Sequence, residues 1–139
     1  MLRKLKIVRK ATVAIGKAVD DVVSQFNEDW IEQEPAFTDR MVQSIQTAVN
    51  DLSSGKLVWR VKPLTDRGAG SQEKIYGADF LGSIHIDLLG FQVRKGFLAQ
   101  AKLLKPGRTI NAAEIKSQCE RMLQCTPAAY VFLYSKDGV

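Results

Sequence analysis

The 139-residue sequence predicts an α/β domain. Segments with apolar residues at spacings of three and four alternate with segments of strand-type alternation. Gly, Pro and Ser punctuation separates them. Behind an amino-terminal helical stretch, the resulting order is helix, strand, strand, strand, helix, strand. The length suits one domain with a substantial core, and 45% hydrophobic with 25% charged residues fits a folded chain better than a disordered one.

The first helix is expected from Lys4 to Asn27, with a break near Gly16. Leu2, Leu5, Val8, Val13, Val19, Val22, Val23 and Phe26 form an imperfect apolar stripe beside the basic Arg3, Lys4, Lys6, Arg9 and Lys10. Lys17, Asp20 and Asp21 interrupt what a secretory signal would need as its apolar core, so the basic start reads as a solvated helix face. Residues 1–30 are taken as an amphipathic helical segment and 31–139 as the domain proper. The chain stops at Lys136-Asp137-Gly138-Val139, just past a turn, and is expected to be the amino-terminal part of a longer protein.

A second helix is expected from Pro35 to Leu52, with Met41, Ile45, Ala48, Val49 and Leu52 inward. Pro35 suits its first turn, where the missing N–H costs nothing, and Ser53-Ser54-Gly55 stops it. Leu57 to Leu64 alternates as a strand, and Thr65 to Gln72 is a small-residue loop. Ile75 to Leu89 and Phe91 to Leu104 read as a strand pair turning at Leu89-Gly90. Asn111, with Glu114 three residues on, caps a helix from Ala112 to Cys125. Its inward face is Ile115, Cys119, Met122 and Leu123. Ala129 to Tyr134 is expected as a fully buried strand, with the Tyr134 hydroxyl reaching solvent.

The formal net charge of +5 suits an anionic partner without requiring one. Cys119 and Cys125 have no second pair to complete a metal site, which favours reduced thiols and a cytoplasmic setting. No apolar run approaches the roughly 18 residues of a membrane span. No glycine-rich phosphate cradle, dinucleotide fingerprint, helix-turn-helix or zinc finger is present.

The chemistry-bearing residues lie in apolar surroundings. Asp79 sits in Ile75-Tyr76-Gly77-Ala78-Asp79-Phe80, and Gln100-Ala101-Lys102 closes the following strand. A buried carboxylate and a buried ammonium are costly unless they bind something. Gln100 and Lys102, two apart on a strand, share a face. An acid and a lysine on neighbouring strands suit the holding of a divalent cation and a water beside a phosphate. Asp79 could also cap backbone amides in a turn, and Lys102 could extend from its strand to solvent.

This Asp then Gln-x-Lys arrangement, with its element order, resembles the PD-(D/E)xK, or restriction-endonuclease-like, nuclease superfamily. The similarity is to the branch with Gln in place of the second acid, which includes Mrr-type restriction enzymes and bacterial anti-phage effector nucleases. It runs from Glu32 to Tyr134. The resemblance implies an αβββαβ core with a mixed central sheet flanked by helices, and a Mg²⁺-dependent endonuclease, with Mn²⁺ able to substitute. The implied substrate is DNA, double-stranded, in restriction or antiviral defence.

The implied cation ligands are Asp79, Gln100, the Ala101 carbonyl and a helix carboxylate, Glu34, with Glu32 as the alternative. Lys102 is the implied water-orienting cation. Carboxylates at a helix start also suit the helix dipole whatever the function. Gln118, on the helix after Gln-x-Lys, is a further polar candidate. Asp87, with Ser83 and His85, is read as the wet face of its strand, and Glu73 as solvated surface. Arg67, Arg94, Lys95, Lys105 and Arg108 are the expected phosphate contacts, which position without reading sequence. A homo-oligomer and a regulatory domain beyond residue 139 are expected partners. The runner-up is a non-catalytic nucleic-acid-binding or assembly module that keeps the nuclease fold.

Overall fold

The computed structural model describes residues 2–53 and 56–139, with the side chains of residues 2–4 and 53 left aside. The elements are α1 (Leu2–Asn27), α2 (Glu34–Ser53), β1 (Leu57–Pro63), α3 (Gln72–Tyr76), β2 (Phe80–Leu88), β3 (Phe91–Leu103), α4 (Ala112–Cys125) and β4 (Ala129–Tyr134). The four strands form one sheet in sequence order. The β1–β2 and β2–β3 pairs are antiparallel and β3–β4 is parallel, with α4 as the crossover. The protein is therefore α/β, with a mixed sheet flanked by helices.

No break occurs at Gly16, and α1 is continuous. A helical glycine costs about 1 kcal/mol relative to alanine. Packing offsets that cost, because Ala11, Ala18, Val22, Val23 and Phe26 enter the same core as α2 and the sheet. Leu5, Val8 and Val13, expected in the apolar stripe, are exposed, so only the later part of α1 lies firmly on the core. The Leu2 side chain in that stripe and the Ser54-Gly55 stop fall outside what is described.

Helix α2 begins at Glu34, with Pro35 in its first turn, and buries Phe37, Met41, Val42, Ile45 and Val49. Leu52 instead stays exposed. Phe37 stacks on Tyr134 with ring centroids 4.2 Å apart, and Phe26 meets Phe37 edge-on at 5.6 Å.

Two expectations near the sheet are corrected. Residues 72–76 are a helical turn, and the strand expected from Ile75 begins at Phe80. The Gln72 N–H donates to Thr65 Oγ1 at 3.1 Å while Gln72 Oε1 accepts from the Thr65 N–H at 3.3 Å. That closure folds the loop back, and Gly77 ends the turn in the left-handed region at φ 70°. The second correction concerns β4. It is an edge strand with Tyr130 and Leu133 exposed, whereas Tyr134 is fully buried. The Tyr134 hydroxyl pairs with Thr38 Oγ1 at 2.8 Å instead of reaching solvent.

Alternation sets the two sheet faces. Phe80, Ile84, Ile86, Trp59, Phe97 and Phe132 face the α1–α2 core. The opposite face carries Leu98, which packs with Ala129, Val131 and Met122 of α4 in a smaller cluster. Among the described residues no helix is long and apolar enough to cross a membrane.

Candidate functional site

Strand β3 runs past the beginning of β2. Phe80, the first residue of β2, pairs with Ala99, and the Asp79 N–H makes a last ladder bond to the Ala99 carbonyl at 2.8 Å. From Gln100 to Leu103, β3 keeps β4 on one side and has no β2 partner on the other. Backbone groups in a strand alternate sides, so Ala101 and Leu103 point towards the missing neighbour. Carboxylates fill the gap. Asp79 Oδ2 accepts from the Ala101 N–H at 2.7 Å, and Glu34 Oε2 accepts from the Leu103 N–H at 2.8 Å.

These bonds gather residues far apart in sequence. Asp79 is delivered by the Gly77 turn, whose tight approach to α4 admits no side chain. A Cβ on Gly77 would lie 2.5 Å from the Gln118 carbonyl oxygen. Glu34 comes from the first turn of α2, and Glu32 is exposed before that helix begins. Gln100 is almost wholly buried, and its Nε2 donates to Asp79 Oδ2 at 2.6 Å and to the Ala101 carbonyl at 3.2 Å. On the same face, Lys102 Nζ lies 3.8 Å from Glu114 Oε1 of α4.

The electrostatics of the carboxyls follow from this crowding. Burial raises the Asp79 carboxyl above its ordinary value, against the lowering effect of the Ala101 N–H, the Gln100 amide and Lys102. Burial likewise raises Glu34. The Leu103 N–H and Lys102 pull it down, and the negative charge of Asp79 pushes it up. Glu73 is raised by burial and by its acidic neighbours Asp79 and Asp66. A cavity of about 360 Å³ opens between these groups, lined in part by Glu34, Thr38, Asp39, Asp66, Glu73 and Asp79. Glu73, expected as solvated surface, is half-exposed and lines this cavity.

The donor set suits a hard divalent cation in kind: two carboxylates, an amide and a backbone carbonyl, all offering oxygen. Asp79 and Glu34 are both made costly as anions by burial, and Glu34 further by Asp79, which a cation would relieve. As it stands, Gln100 meets Asp79 and Ala101 with its donor nitrogen, so ligation through Oε1 requires the amide to turn over. Among the described residues no three His, Cys, Asp or Glu side chains form a metal-holding group.

The expected phosphate contacts are dispersed. Arg67 is exposed in the loop after β1, and Lys105 and Arg108 are exposed in the turn after β3, where the Arg108 N–H donates to the Lys105 carbonyl at 3.1 Å. Arg94 pairs in register with His85, about 20 Å along β3 from Gln100. Its neighbour Lys95 takes the opposite sheet face from Gln100 and Lys102. Asp87 is exposed near the hairpin turn and accepts from Gln92 Nε2 at 2.9 Å, away from the carboxylate cluster.

Gln118 is half-buried, and its Oε1 is a buried acceptor without a partner among the described residues. Glu114 was visible in the sequence only as a capping residue, and it does serve the Asn111 cap, its N–H donating to Asn111 Oδ1 at 3.1 Å. Its second position, opposite Lys102, depends on how α4 returns along β3, and no local signal carries that. Comparison of the chain with protein-family models, with curated proteins and with solved structures returns no match.

Proposed function

We propose that this protein is a divalent-cation-dependent endonuclease domain that hydrolyses DNA phosphodiester bonds, with a restriction-endonuclease-like core. The observation that carries the reading is the pair of carboxylates, Asp79 and Glu34, bound to the backbone of β3 on either side of Lys102. The element order and the mixed sheet, with its parallel β3–β4 pair, support it. In this reading Asp79, Glu34, the Ala101 carbonyl and a turned Gln100 amide hold Mg²⁺ or Mn²⁺.

The bound cation would supply a more acidic water and charge relief at the phosphate. Lys102 orients the attacking water or offsets phosphate charge. Glu114, at 3.8 Å, limits where its ammonium rests. Water adds at phosphorus and gives up a proton, one P–O bond breaks, and the departing oxygen takes up a proton. The same reading makes the protein a cytoplasmic homo-oligomer of restriction or antiviral defence, governed by a further domain. Plasmid cleavage with Mg²⁺ or Mn²⁺ tests it, using Asp79→Ala, Lys102→Ala and an EDTA control. Metal-dependent cutting by the parent chain and its loss in both variants is the expected result. Cutting that survives both substitutions defeats it.

One observation favours a non-catalytic nucleic-acid-binding module instead: the Gln100 amide is engaged as a donor to Asp79, the best candidate cation ligand. Under that reading the chain cuts nothing, and its salt-sensitive DNA binding is unchanged by Lys102→Ala.

A further inference from the structure

The sheet face that carries Gln100 and Lys102 is covered over β3 and β4 by α4, where Met122 packs on Leu98, Ala129 and Val131, and Leu64 and Ala78, just outside β1 and β2, join the same cluster. Along β1 and β2 the same face is open at Arg60, Lys62, Leu81 and Asp87 and half-buried at Val58, Ser83 and His85. Residues directly opposite in register share a face, so Lys62 opposite Leu81, and Arg60 opposite Ser83, belong to it. Leu81 pairs onward to Leu98, and Ser83 to Gly96, which brings Arg94 onto the face as well.

Arg60, Lys62 and Arg94 are exposed, and among the described residues none is in an ion pair. Strand geometry separates the Arg60 and Lys62 backbones by about 7 Å, and those of Arg60 and Arg94 by about 12 Å. The strand residues of this face include one carboxylate, Asp87, at the hairpin end and bonded to Gln92. The result is a basic track across β1–β3 whose Lys62 end lies two strand spacings from Leu98, next to Gln100 on the same face.

We propose that this open face is a docking surface for the sugar–phosphate backbone of duplex DNA, leading into the Asp79–Lys102 cluster. The inference rests on the nuclease reading for its substrate class and adds to it the surface that holds the substrate. Charge complementarity selects a polyanion. The distribution of aromatics selects a duplex over a single strand. Single-strand platforms combine basic grooves with aromatic side chains on which bases stack. Here Trp59, Phe80, Phe97 and Phe132 all belong to the opposite, core-facing side. The track carries Arg, Lys, Ser and His, which contact phosphates and impose little sequence preference.

The test is equilibrium binding of a labelled short duplex in EDTA across a salt series. It compares the whole chain with Arg60→Gln/Lys62→Gln/Arg94→Gln, with Arg94→Gln alone, and with Lys6→Gln/Lys10→Gln/Lys17→Gln on α1. The last variant makes an equal charge change elsewhere on the surface. Each lost phosphate contact should lower the salt-dependence slope by about 1, and the face triple should bind more than about tenfold more weakly. The α1 triple should bind close to the parent chain, and a labelled single strand should bind the parent chain more weakly than the duplex.

Equal loss in both triples would reduce the effect to net charge and overturn the proposal. No duplex binding by the parent chain would overturn it too, and single-strand binding as tight as duplex binding would overturn its choice of ligand. Plasmid cutting distinguishes the two claims. Cutting with unchanged binding by the face triple removes the surface and keeps the nuclease. Track-dependent binding without cutting removes the nuclease and keeps the surface.

Discussion

The Glu34 carboxylate accepts the Leu103 backbone N–H at 2.8 Å, so the first turn of α2 completes a strand edge that β2 leaves open. Asp79 does the same for Ala101, two residues earlier on β3. The candidate site is thus a notch in the sheet where side-chain oxygens replace a neighbouring backbone.

Replacing both acids should change how stability varies with pH. Asp79 and Glu34 titrate above the ordinary carboxylate range, so the folded chain binds their protons more tightly than the unfolded chain. Their protonated forms favour the fold below the ordinary carboxylate range, and that contribution is lost as pH rises through the raised values. The cation-free protein should therefore lose stability between acid and neutral pH relative to Glu34→Gln/Asp79→Asn. Thermal unfolding across pH checks this, and identical profiles for the two chains would refute it.

Mg²⁺ should restore what neutral pH removes. A ligand bound only by the folded state at about 100 times its dissociation constant adds about 2.7 kcal/mol. Melting curves at neutral pH should shift upward with Mg²⁺ for the parent chain and stay put for Asp79→Asn. A shift that persists in the variant would place the cation elsewhere.

Gly77→Ala should damage both the fold and the site. The residue sits at φ 70°, and an added Cβ would meet the α4 backbone at Gln118. Strain and overpacking together should cost about 2–4 kcal/mol in urea unfolding. At a temperature where the variant is folded, cation binding should also weaken, because Asp79 is only two residues away. A variant as stable as the parent would show that the turn can open without consequence.

Much of this was legible where the signals were local. The Asn111 cap and the inward Met122 mark α4, and the Leu89-Gly90 turn marks the β2–β3 hairpin. Asp79, Gln100 and Lys102 stood out because they are polar in apolar strand context. What escaped depends on distant partners. Tyr134 looked like a strand end, and only the approach of α2 buries its hydroxyl against Thr38. Glu73 looked like loop surface until the Thr65–Gln72 closure turned that loop towards Asp79. The Lys102–Glu114 pair needs the return path of α4, which no spacing in the chain encodes.

Tyr134→Phe tests the buried polar pair apart from the chemistry. It leaves the Thr38 hydroxyl without its partner and should cost about 1–3 kcal/mol in denaturant unfolding. The Phe37 stacking should survive, and cutting measured well below the melting temperature should stay near the parent value. A loss of cutting without loss of stability would give Tyr134 a role at the site.

The notch also has a history on the folding pathway. Asp79 and Gln100 meet across 21 residues, within reach of the β2–β3 hairpin, whereas Glu34 and Leu103 meet across 69. Contacts of large sequence separation carry the greater loop-closure cost and suit later assembly. A folding chain can thus bring Asp79 and Gln100 together before the second carboxylate docks. Docking of α2 is then the later step, and a chain caught before it has only one of the two carboxylates at the notch.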